Sequence, residues 1–332
     1  MQKRKIDFVC IINATTKDPT MQYLTGIAPE YAFLLTKKGK KSILFISAME
    51  YEWAKKHSKI KNIKMLKSLD QIKKVVKNRC VGINERYVTV AVAKQLKKKF
   101  RIISADNICR NMRIIKTKNE IECIKKAAQE TDRIFTTVCK NIQKFKTEKD
   151  IAVFIEKTAK YPLAFDTIVA SGSNASMPHH TPGKTTIKGF CILDFGVKYK
   201  EYCSDMSRTI YVGTPTQKEK QAYAKVKTVQ EYAIENATIG KKCASTAKEI
   251  CKILKFPHSL GHGIGIAVHE APAINEKSTD VFKENMCFTI EPGMYVQKKF
   301  GIRIEDDVVL TKKGPIVLTK STKTLLCFKH NV

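Results

Sequence analysis

The sequence lacks a long apolar run, paired cysteines and a targeting segment, and each absence excludes a class of protein. No stretch of about 18 uncharged apolar residues occurs in the 332-residue chain, so no transmembrane helix is expected. The eleven cysteines include no Cys-x-x-Cys pair, which argues against a disulfide framework and a structural zinc site. Reduced thiols in a cytoplasmic protein are the simplest interpretation. The basic start, residues 1–7, leads directly into a strand-like segment and is no secretory signal.

Acidic residues are also scarce, 31 against 61 lysines and arginines, which gives a formal net charge of +30. Strong basicity is one mark of nucleic-acid binding. The lysines are nevertheless spread along nearly the whole chain, with short clusters at 37–41 and 97–99 and no long basic tail. We therefore interpret the charge as a solvated surface that binds polyanions non-specifically at most.

The first 115 residues predict a small α/β domain. Their apolar patterning predicts strands and helices in alternation, with strands at 7–13, 31–36, 42–47 and 81–84 and helices at 49–57 and 88–100. The segment contains a single histidine, His57, and no clustered acids. Scaffolding, dimerisation or covering of a cleft is therefore expected of it rather than chemistry. With a boundary placed between Arg113 and Lys118, the predicted domains are 1–115 and 116–332.

The second domain reads as a duplicated unit. Capping boxes at Thr117–Glu120 and Thr216–Glu219 start two helices, and each helix is followed by another, predicted at 147–160 and 244–255. Both helix pairs precede a β-rich section that contains two acids. This order predicts a pseudo-symmetric α+β domain with its site between the halves.

Four acids lie among apolar strand residues: Asp194, Asp205, Glu291 and Glu305. Phe288–Val296 and Gly301–Leu310, which contain the last two, each read as a strand. Buried carboxylates are costly unless a cation or hydrogen bonds compensate them. Together with His262 they form a set of oxygen and imidazole donors suited to Mn²⁺, Co²⁺, Fe²⁺ or Zn²⁺. Five ligands exceed one tetrahedral ion but fit two ions that share carboxylates, with a water between them as a hydroxide nucleophile.

Three further histidines are candidates for the same site: His179, His258 and His269. Taken singly, each is as compatible with a solvent-exposed position as with a function. His258 would share a face with His262 if this segment were helical. His269 would reach the same region if the residues between it and His262 were extended. The glycines beside His262, Gly261 and Gly263, would allow close approach of the backbone to the site.

The order and spacing of these residues resemble the pita-bread metallopeptidases, in the Xaa-Pro aminopeptidase and prolidase branch. The matching motifs are Ile168-Val-Ala-Ser-Gly172, Pro178-His179, Leu193-Asp194-Phe-Gly196, Cys203-Ser-Asp205-Met-Ser-Arg-Thr209, His258-Ser-Leu-Gly-His262-Gly-Ile-Gly265, Val268-His269-Glu270, Thr289-Ile-Glu291-Pro-Gly293 and Arg303-Ile-Glu305-Asp306. Tyr23-Leu-Thr-Gly26 and Met112-Arg-Ile-Ile-Lys116 are similarly typical of the creatinase-type N-terminal domain of this branch. The resemblance thus covers almost the whole chain.

The resemblance implies an α+β pita-bread (creatinase/aminopeptidase) catalytic domain behind a smaller α/β domain, and a metal-dependent exopeptidase that hydrolyses Xaa-Pro bonds. It implies two divalent ions, with Mn²⁺ first and Co²⁺, Zn²⁺ or Fe²⁺ as alternatives. Asp205 and Glu305 would bridge both ions. Asp194 would bind one of them, and His262 and Glu291 the other.

The remaining roles also come from the resemblance. Glu291 would handle the proton of the bridging water, and His269 would donate to the scissile carbonyl. His179 and His258 would line the substrate site, and Arg303 would steady the ligands or the substrate. The expected partners are a proline-containing peptide and a second copy of the chain in a homodimer, with no membrane.

Two departures and two alternatives remain at this point. His180, beside His179, makes the choice between the two histidines less secure, and Glu201-Tyr-Cys203 replaces a common glycine-containing turn. Methionine aminopeptidase is a rival by fold, but the N-terminal domain and the His258–His262 pattern speak against it. The other alternative is a non-catalytic protein of the same fold that binds nucleic acid through its basic surface, and the intact ligand set argues against it.

Overall fold

The computed structural model describes residues 6–77 and 79–329. Internal contacts divide the chain into two compact units, Met1–Arg113 and Ile114–Val332. The domain limits inferred from the sequence, 1–115 and 116–332, stay a prediction. Throughout the described ranges, every helix is too short or too polar to span a lipid bilayer.

The first unit is built on one mixed sheet with helices between its strands. Its elements are β1 (Phe8–Asn13), α1 (Pro19–Thr25), β2 (Ala32–Lys37), β3 (Lys40–Ile46), α2 (Tyr51–His57), β4 (Ile63–Met65), α3 (Leu69–Val76), β5 (Cys80–Ile83), α4 (Val90–Lys97), β6 (Arg101–Ser104) and α5 (Asp106–Ile114). The strands lie in the order β4-β3-β2-β1-β5-β6. The sequence predicted four of these strands to within about two residues, while β4 and β6, both short, were missed.

Strand β1 shows why this sheet has helices on both faces. All six of its residues are buried, so it carries no polar face. Phe8, Cys10 and Ile12 pack into one apolar cluster. Val9 and Ile11 pack into another on the opposite face, as the two-residue period of a strand requires. The predicted α/β character is confirmed.

The second unit contains the predicted helix pairs, each followed by a sheet. The first half comprises α6 (Lys118–Asn141), α7 (Glu148–Thr158), β7 (Ile168–Ser171), β8 (Gly189–Phe195), β9 (Lys198–Tyr199), β10 (Tyr202–Cys203) and β11 (Met206–Val212). The second comprises α8 (Gln217–Glu235), α9 (Cys243–Ile253), β12 (Gly261–Gly263), β13 (Glu270–Ile274), β14 (Cys287–Ile290), β15 (Gly293–Val296), β16 (Phe300–Arg303), β17 (Asp306–Thr311), β18 (Gly314–Val317) and β19 (Cys327–Phe328).

Two larger sheets in this unit correspond to the two halves, except that β19, the last strand of the second half, pairs with β11 of the first. Strands β19-β11-β8-β7 form one sheet, and β13-β12-β14-β17-β18 form the other. Capping boxes at Thr117 and Thr216 start α6 and α8, as their sequence signatures predict. The predicted repeat of two helices followed by a sheet is therefore present in the element order.

The turn between β9 and β10 shows the consequence of one departure noted in the sequence. Lys200 and Glu201 have φ values of 47° and 70°, in the left-handed region that glycine adopts without cost. Tyr199 and Tyr202 pair directly across the turn, so it is a two-residue hairpin with positive φ at both positions. The bulkier sequence keeps this turn geometry at the cost of backbone strain.

Candidate active site

The four acids lie at the ends of strands or in the gaps between them. Asp194 is the next-to-last residue of β8, and Asp205 lies between β10 and β11. Glu291 separates β14 from β15, and Glu305 separates β16 from β17. The predicted continuous strands at 288–296 and 301–310 are therefore wrong: each breaks at its carboxylate. Beside Glu291 the break has a clear cause, because Pro292 has no N–H to donate to a strand ladder.

The structure brings these acids and His262 together. Their ligand atoms form overlapping groups, each within 4.8 Å: Asp194–Asp205–Glu305, and His262–Glu291–Glu305. Glu305 belongs to both groups. A third group joins Asp205, His262 and His269. Two adjacent cation positions with a shared carboxylate fit this arrangement.

The carboxylates have too few internal partners for their charge. Asp194 Oδ1 and Glu305 Oε1 are buried and accept no hydrogen bond from any residue that the structure describes. Burial, followed by repulsion from the neighbouring acids, raises the pKa of Asp205 and of Glu305 well above the usual range. Burial likewise raises the pKa of Glu291 to about 8. Divalent cations would satisfy both the orphaned oxygens and the excess negative charge, so the residues fit the metals that the sequence implies.

His262 is suited to be a neutral metal ligand. Burial, with a smaller contribution from His269, lowers the pKa of His262 to about 3, so its imidazole is uncharged at neutral pH. Its Nδ1 lies 3.2 Å from the carbonyl oxygen of Gly263. With the proton on Nδ1, the Nε2 lone pair faces Asp205 Oδ2 at 3.6 Å and Glu291 Oε1 at 3.4 Å.

Arg303 forms hydrogen bonds to several side chains of the site. Its guanidinium donates to Asp194 Oδ2 at 2.5 Å, to the Ser207 hydroxyl at 2.8 Å and to the Tyr295 hydroxyl at 2.9 Å. Ser207 in turn donates to Glu305 Oε2 at 2.8 Å. One oxygen of each of two candidate ligands is thus held in place, while the other oxygen remains available.

Tyr295 is a site residue that the sequence analysis missed. Its hydroxyl lies 2.9 Å from His258 Nε2 and accepts from Arg303. A tyrosine beside the Glu291-Pro292-Gly293 motif, two residues further along β15, was the available signal. Burial lowers the pKa of His258 to about 4, so this histidine is neutral as well.

The structure corrects the local geometry expected around the histidines. His258 lies in a loop and His262 in β12, so they do not share a helical face. The segment before His269 is not extended: it forms the connection of the β12–β13 hairpin, which folds back with Gly263 opposite Glu270. This hairpin brings the rings of His262 and His269 edge to face, with centroids 4.3 Å apart.

His179 and His180 point to different partners. His179 is exposed and directly follows Pro178, whose carbonyl oxygen accepts from Arg303 at 3.4 Å. A positive charge on His179 would add to the burial that lowers the pKa of His258 and of His269. His180 Nε2 lies 2.8 Å from the buried carboxylate of Glu148. The geometry therefore groups His179 with the other site histidines and separates His180 from them.

Two sequence comparisons match nearly the full chain. Residues 122–312 match the profile of Metallopeptidase family M24, and residues 1–115 match the Creatinase/Prolidase N-terminal domain. The Xaa-Pro dipeptidase of Pyrococcus furiosus is 36% identical over 98% of this chain and 97% of its own length. That of Pyrococcus horikoshii is 35% identical over 98% and 96%.

Solved structures give the same result. The prolidase from Pyrococcus furiosus superposes with a TM-score of 0.86 at 34% identity, over 96% of this chain and 97% of that one. An X-Pro aminopeptidase from Thermotoga maritima gives 0.85 at 30% identity, over 97% of both. The resemblance inferred from the motifs is confirmed. The chain belongs to metallopeptidase family M24, metal-dependent peptidases of the pita-bread fold, with a creatinase-type domain ahead of the catalytic one.

Proposed function

We propose that this protein is a dinuclear metal-dependent exopeptidase that hydrolyses the bond between any residue and a following proline. One observation carries the proposal: two groups of ligand atoms, each within 4.8 Å, overlap at Glu305. A single ion would leave part of this donor set uncompensated, whereas two ions sharing a carboxylate would use all of it.

The ligands divide naturally between two ions. Asp205 and Glu305 would contact both, Asp194 would complete one site, and His262 with Glu291 would complete the other. When bound, the ions supply an activated water nucleophile and polarise the scissile carbonyl. Carboxylate oxygens with a single imidazole favour Mn²⁺, with Co²⁺, Zn²⁺ and Fe²⁺ as further candidates.

The chain's own residues provide binding and proton transfer. Glu291, which shares a group of ligand atoms with His262 and Glu305, would receive the proton of the attacking water. His269, exposed beside His262, would donate to the oxygen that gains charge at the scissile carbonyl. His179 and His258 would line the substrate site, and Arg303 would hold Asp194 and Tyr295 in position.

A dipeptide is the favoured substrate. The Pyrococcus relatives are named Xaa-Pro dipeptidases, and they cover nearly all of this chain. The similarity to the Thermotoga X-Pro aminopeptidase makes a longer peptide the second candidate. A homodimer and a cytoplasmic location remain predictions from the sequence. The alternative of a non-catalytic nucleic-acid binder has no support in the site, because all five candidate ligands are present and grouped.

The test is hydrolysis of matched Xaa-Pro and Xaa-Pro-Yaa peptides by protein stripped of metal and resupplied with Mn²⁺, Co²⁺ or Zn²⁺. Glu291→Ala is the inactive comparison, and Glu276→Ala, an exposed acid in the same unit, is the matched control. Cleavage restored by metal in the wild type and control, but absent from Glu291→Ala, is expected. No cleavage with any metal, despite two bound ions, would refute a proline-specific activity.

A further inference from the structure

Glu148 anchors a loop that carries one of the candidate site histidines. It is the first residue of α7, and its side chain is fully buried. Oε1 accepts from the Ser171 backbone N–H at 2.8 Å and from Asn174 Nδ2 at 3.0 Å. Oε2 accepts from the Gly183 N–H at 3.1 Å and lies 2.8 Å from His180 Nε2. One carboxylate thus ties together both ends of the loop at 172–183.

The contacts of Glu148 are not explained by helix capping. The hydroxyl of Thr147 and the carboxylate of Asp150 already form a capping box at the start of α7. All four groups that contact the Glu148 carboxylate belong to loop 172–183 or to Ser171, the residue before it. The loop is also fixed to the first turn of α7 through its backbone, because the N–H of Lys149 donates to the carbonyl of Gly183 at 3.0 Å.

The middle of the loop faces the candidate active site. Arg303, which binds Asp194, also donates to the carbonyl oxygen of Pro178 at 3.4 Å. The next residue, His179, has an exposed side chain, and a positive charge on it would add to the burial that lowers the pKa of His258 and of His269. The loop is therefore held on one side by Glu148 and contacted on the other by Arg303, with His179 beside the second contact.

We propose that Glu148 is a positioning residue, which fixes loop 172–183 so that His179 is held at the substrate site. His180 serves as one of the anchor points on Glu148. The inference rests on the proposed peptidase function, because it assigns Glu148 an effect that acts through His179. A histidine displaced by about 1 Å is sufficient to reduce turnover strongly, even when the changed residue is remote from the reaction.

A double-mutant cycle tests this role in the full-length, metal-loaded protein. Glu148→Ala and His179→Ala are each expected to lower kcat/KM for an Xaa-Pro dipeptide by about 100-fold. If Glu148 acts through His179, the double variant loses about as much as the worse single variant. Independent effects would instead multiply to roughly 10,000-fold. Glu148→Gln keeps the shape and one of the two acceptor oxygens, and its amide N–H can donate to His180 Nε2, so it is expected to lose less than about 10-fold.

Glu130→Ala is the matched control. Glu130 is also a buried glutamate on a helix, and it accepts from Arg133 and from the N–H of Lys160 rather than from the loop. Glu130→Ala removes a similar set of hydrogen bonds. We therefore expect it to lower the midpoint of thermal unfolding while changing kcat/KM much less than Glu148→Ala does. Combined with His179→Ala, it should give independent effects.

Each result of the double-mutant cycle either supports or contradicts the role of Glu148. Non-additivity confined to the pair Glu148 and His179 supports the proposal, whereas independent effects, or an equal loss in Glu130→Ala, would overturn it. If Glu148→Ala fails to fold, the cycle is run with Glu148→Asp, whose carboxylate is one carbon too short to keep its contacts with both ends of the loop, and ¹³C-histidine NMR then reports whether the His179 signal shifts. An unchanged signal would overturn the role. A wild-type protein inactive on all peptides would overturn the proposed function itself, which separates the two failures.

Discussion

Glu305 and Asp306 are adjacent in sequence and both buried, but their surroundings are opposite. Asp306 Oδ1 pairs with Arg208 at 2.6 Å and accepts from Thr319 at 2.8 Å, and Oδ2 lies 3.2 Å from Lys323 Nζ. Burial alone would raise the pKa of Asp306, but the two cations and the hydrogen bonds hold it below its usual value. In the part of the chain that the structure describes, Glu305 has one side-chain donor, Ser207, to one of its oxygens. Burial and the neighbouring acids raise its pKa well above the usual range.

This contrast distinguishes structural from ligand carboxylates. The counter-charges of Asp306 are side chains of the same fold, Arg208 and Lys323, so its ionised form is stable without any added group. Among residues 6–77 and 79–329, the grouped acids Glu305, Asp205 and Asp194 have no such cation beside them except Arg303, which donates to Asp194. Ionising the group as a whole requires cations from outside the chain. The difference predicts that substitution of Glu305 mainly lowers activity, whereas substitution of the adjacent Asp306 mainly lowers stability.

The largest expected effect is the loss of activity in Glu305→Gln. The amide keeps the size of the side chain but removes a charged ligand shared by both groups, so at least one ion should be lost. Since metal ions contribute several kcal/mol of charge stabilisation in the transition state, hydrolysis should fall by about 1,000-fold or more. Bound Mn²⁺ measured by elemental analysis, beside dipeptide hydrolysis, checks this. Full metal content in the variant would contradict the ligand assignment.

Asp306→Asn should have the opposite profile, with a large loss of stability. It leaves Arg208, which is only 1% exposed, without its carboxylate partner. Breaking a buried ion pair by removing one partner costs about 3–5 kcal/mol, and urea unfolding measures it. In metal-free protein, Glu305→Gln should instead be neutral or stabilising, because it reduces repulsion. Equal destabilisation by both substitutions would remove the distinction between the two acids.

The acids of the site could be predicted from sequence, whereas their partners could not. Asp194, Asp205, Glu291 and Glu305 are visible because carboxylates are rare among apolar strand residues. Arg208 and Asp306 are 98 residues apart, so nothing in the local pattern shows that they pair. The choice between His179 and His180 likewise depends on a glutamate 32 residues before His180. The sequence did not show that strands end at Glu291 and Glu305, because the residues on both sides of each acid have strong strand propensity.

The same contrast predicts how pH acts on metal-free protein. Between about pH 7.5 and 8.5, unfolded acids are fully ionised and unfolded histidines have lost nearly all their protons. The folded cluster still holds protons in this window because the pKa values of its acids are raised, with that of Glu291 at about 8. The folded state then binds more protons than the unfolded state, so stability falls as pH rises. The loss should be roughly 1–2 kcal/mol over this window.

Urea unfolding at several pH values, with and without Mn²⁺, measures this dependence. Bound metal should flatten the curve in this window, since ionised carboxylates then have a counter-charge in the folded state. Glu305→Gln should also reduce the slope in metal-free protein, whereas Asp306 is already ionised and contributes none of it. A slope of the opposite sign would contradict the raised pKa values.

The smallest expected effect concerns Tyr295, which connects the charged cluster to the substrate side. Tyr295→Phe keeps the ring but removes the hydroxyl that lies between Arg303 and His258. Arg303 retains Asp194 and Ser207, so the metal ligands should stay in place and Mn²⁺ affinity should be unchanged. Loss of hydrogen bonds worth about 1 kcal/mol should lower kcat/KM by about 5-fold, through a freer His258. A reduced metal content in Tyr295→Phe would instead show that Tyr295 helps to hold the metal ligands in place, as Ser207 does for Glu305.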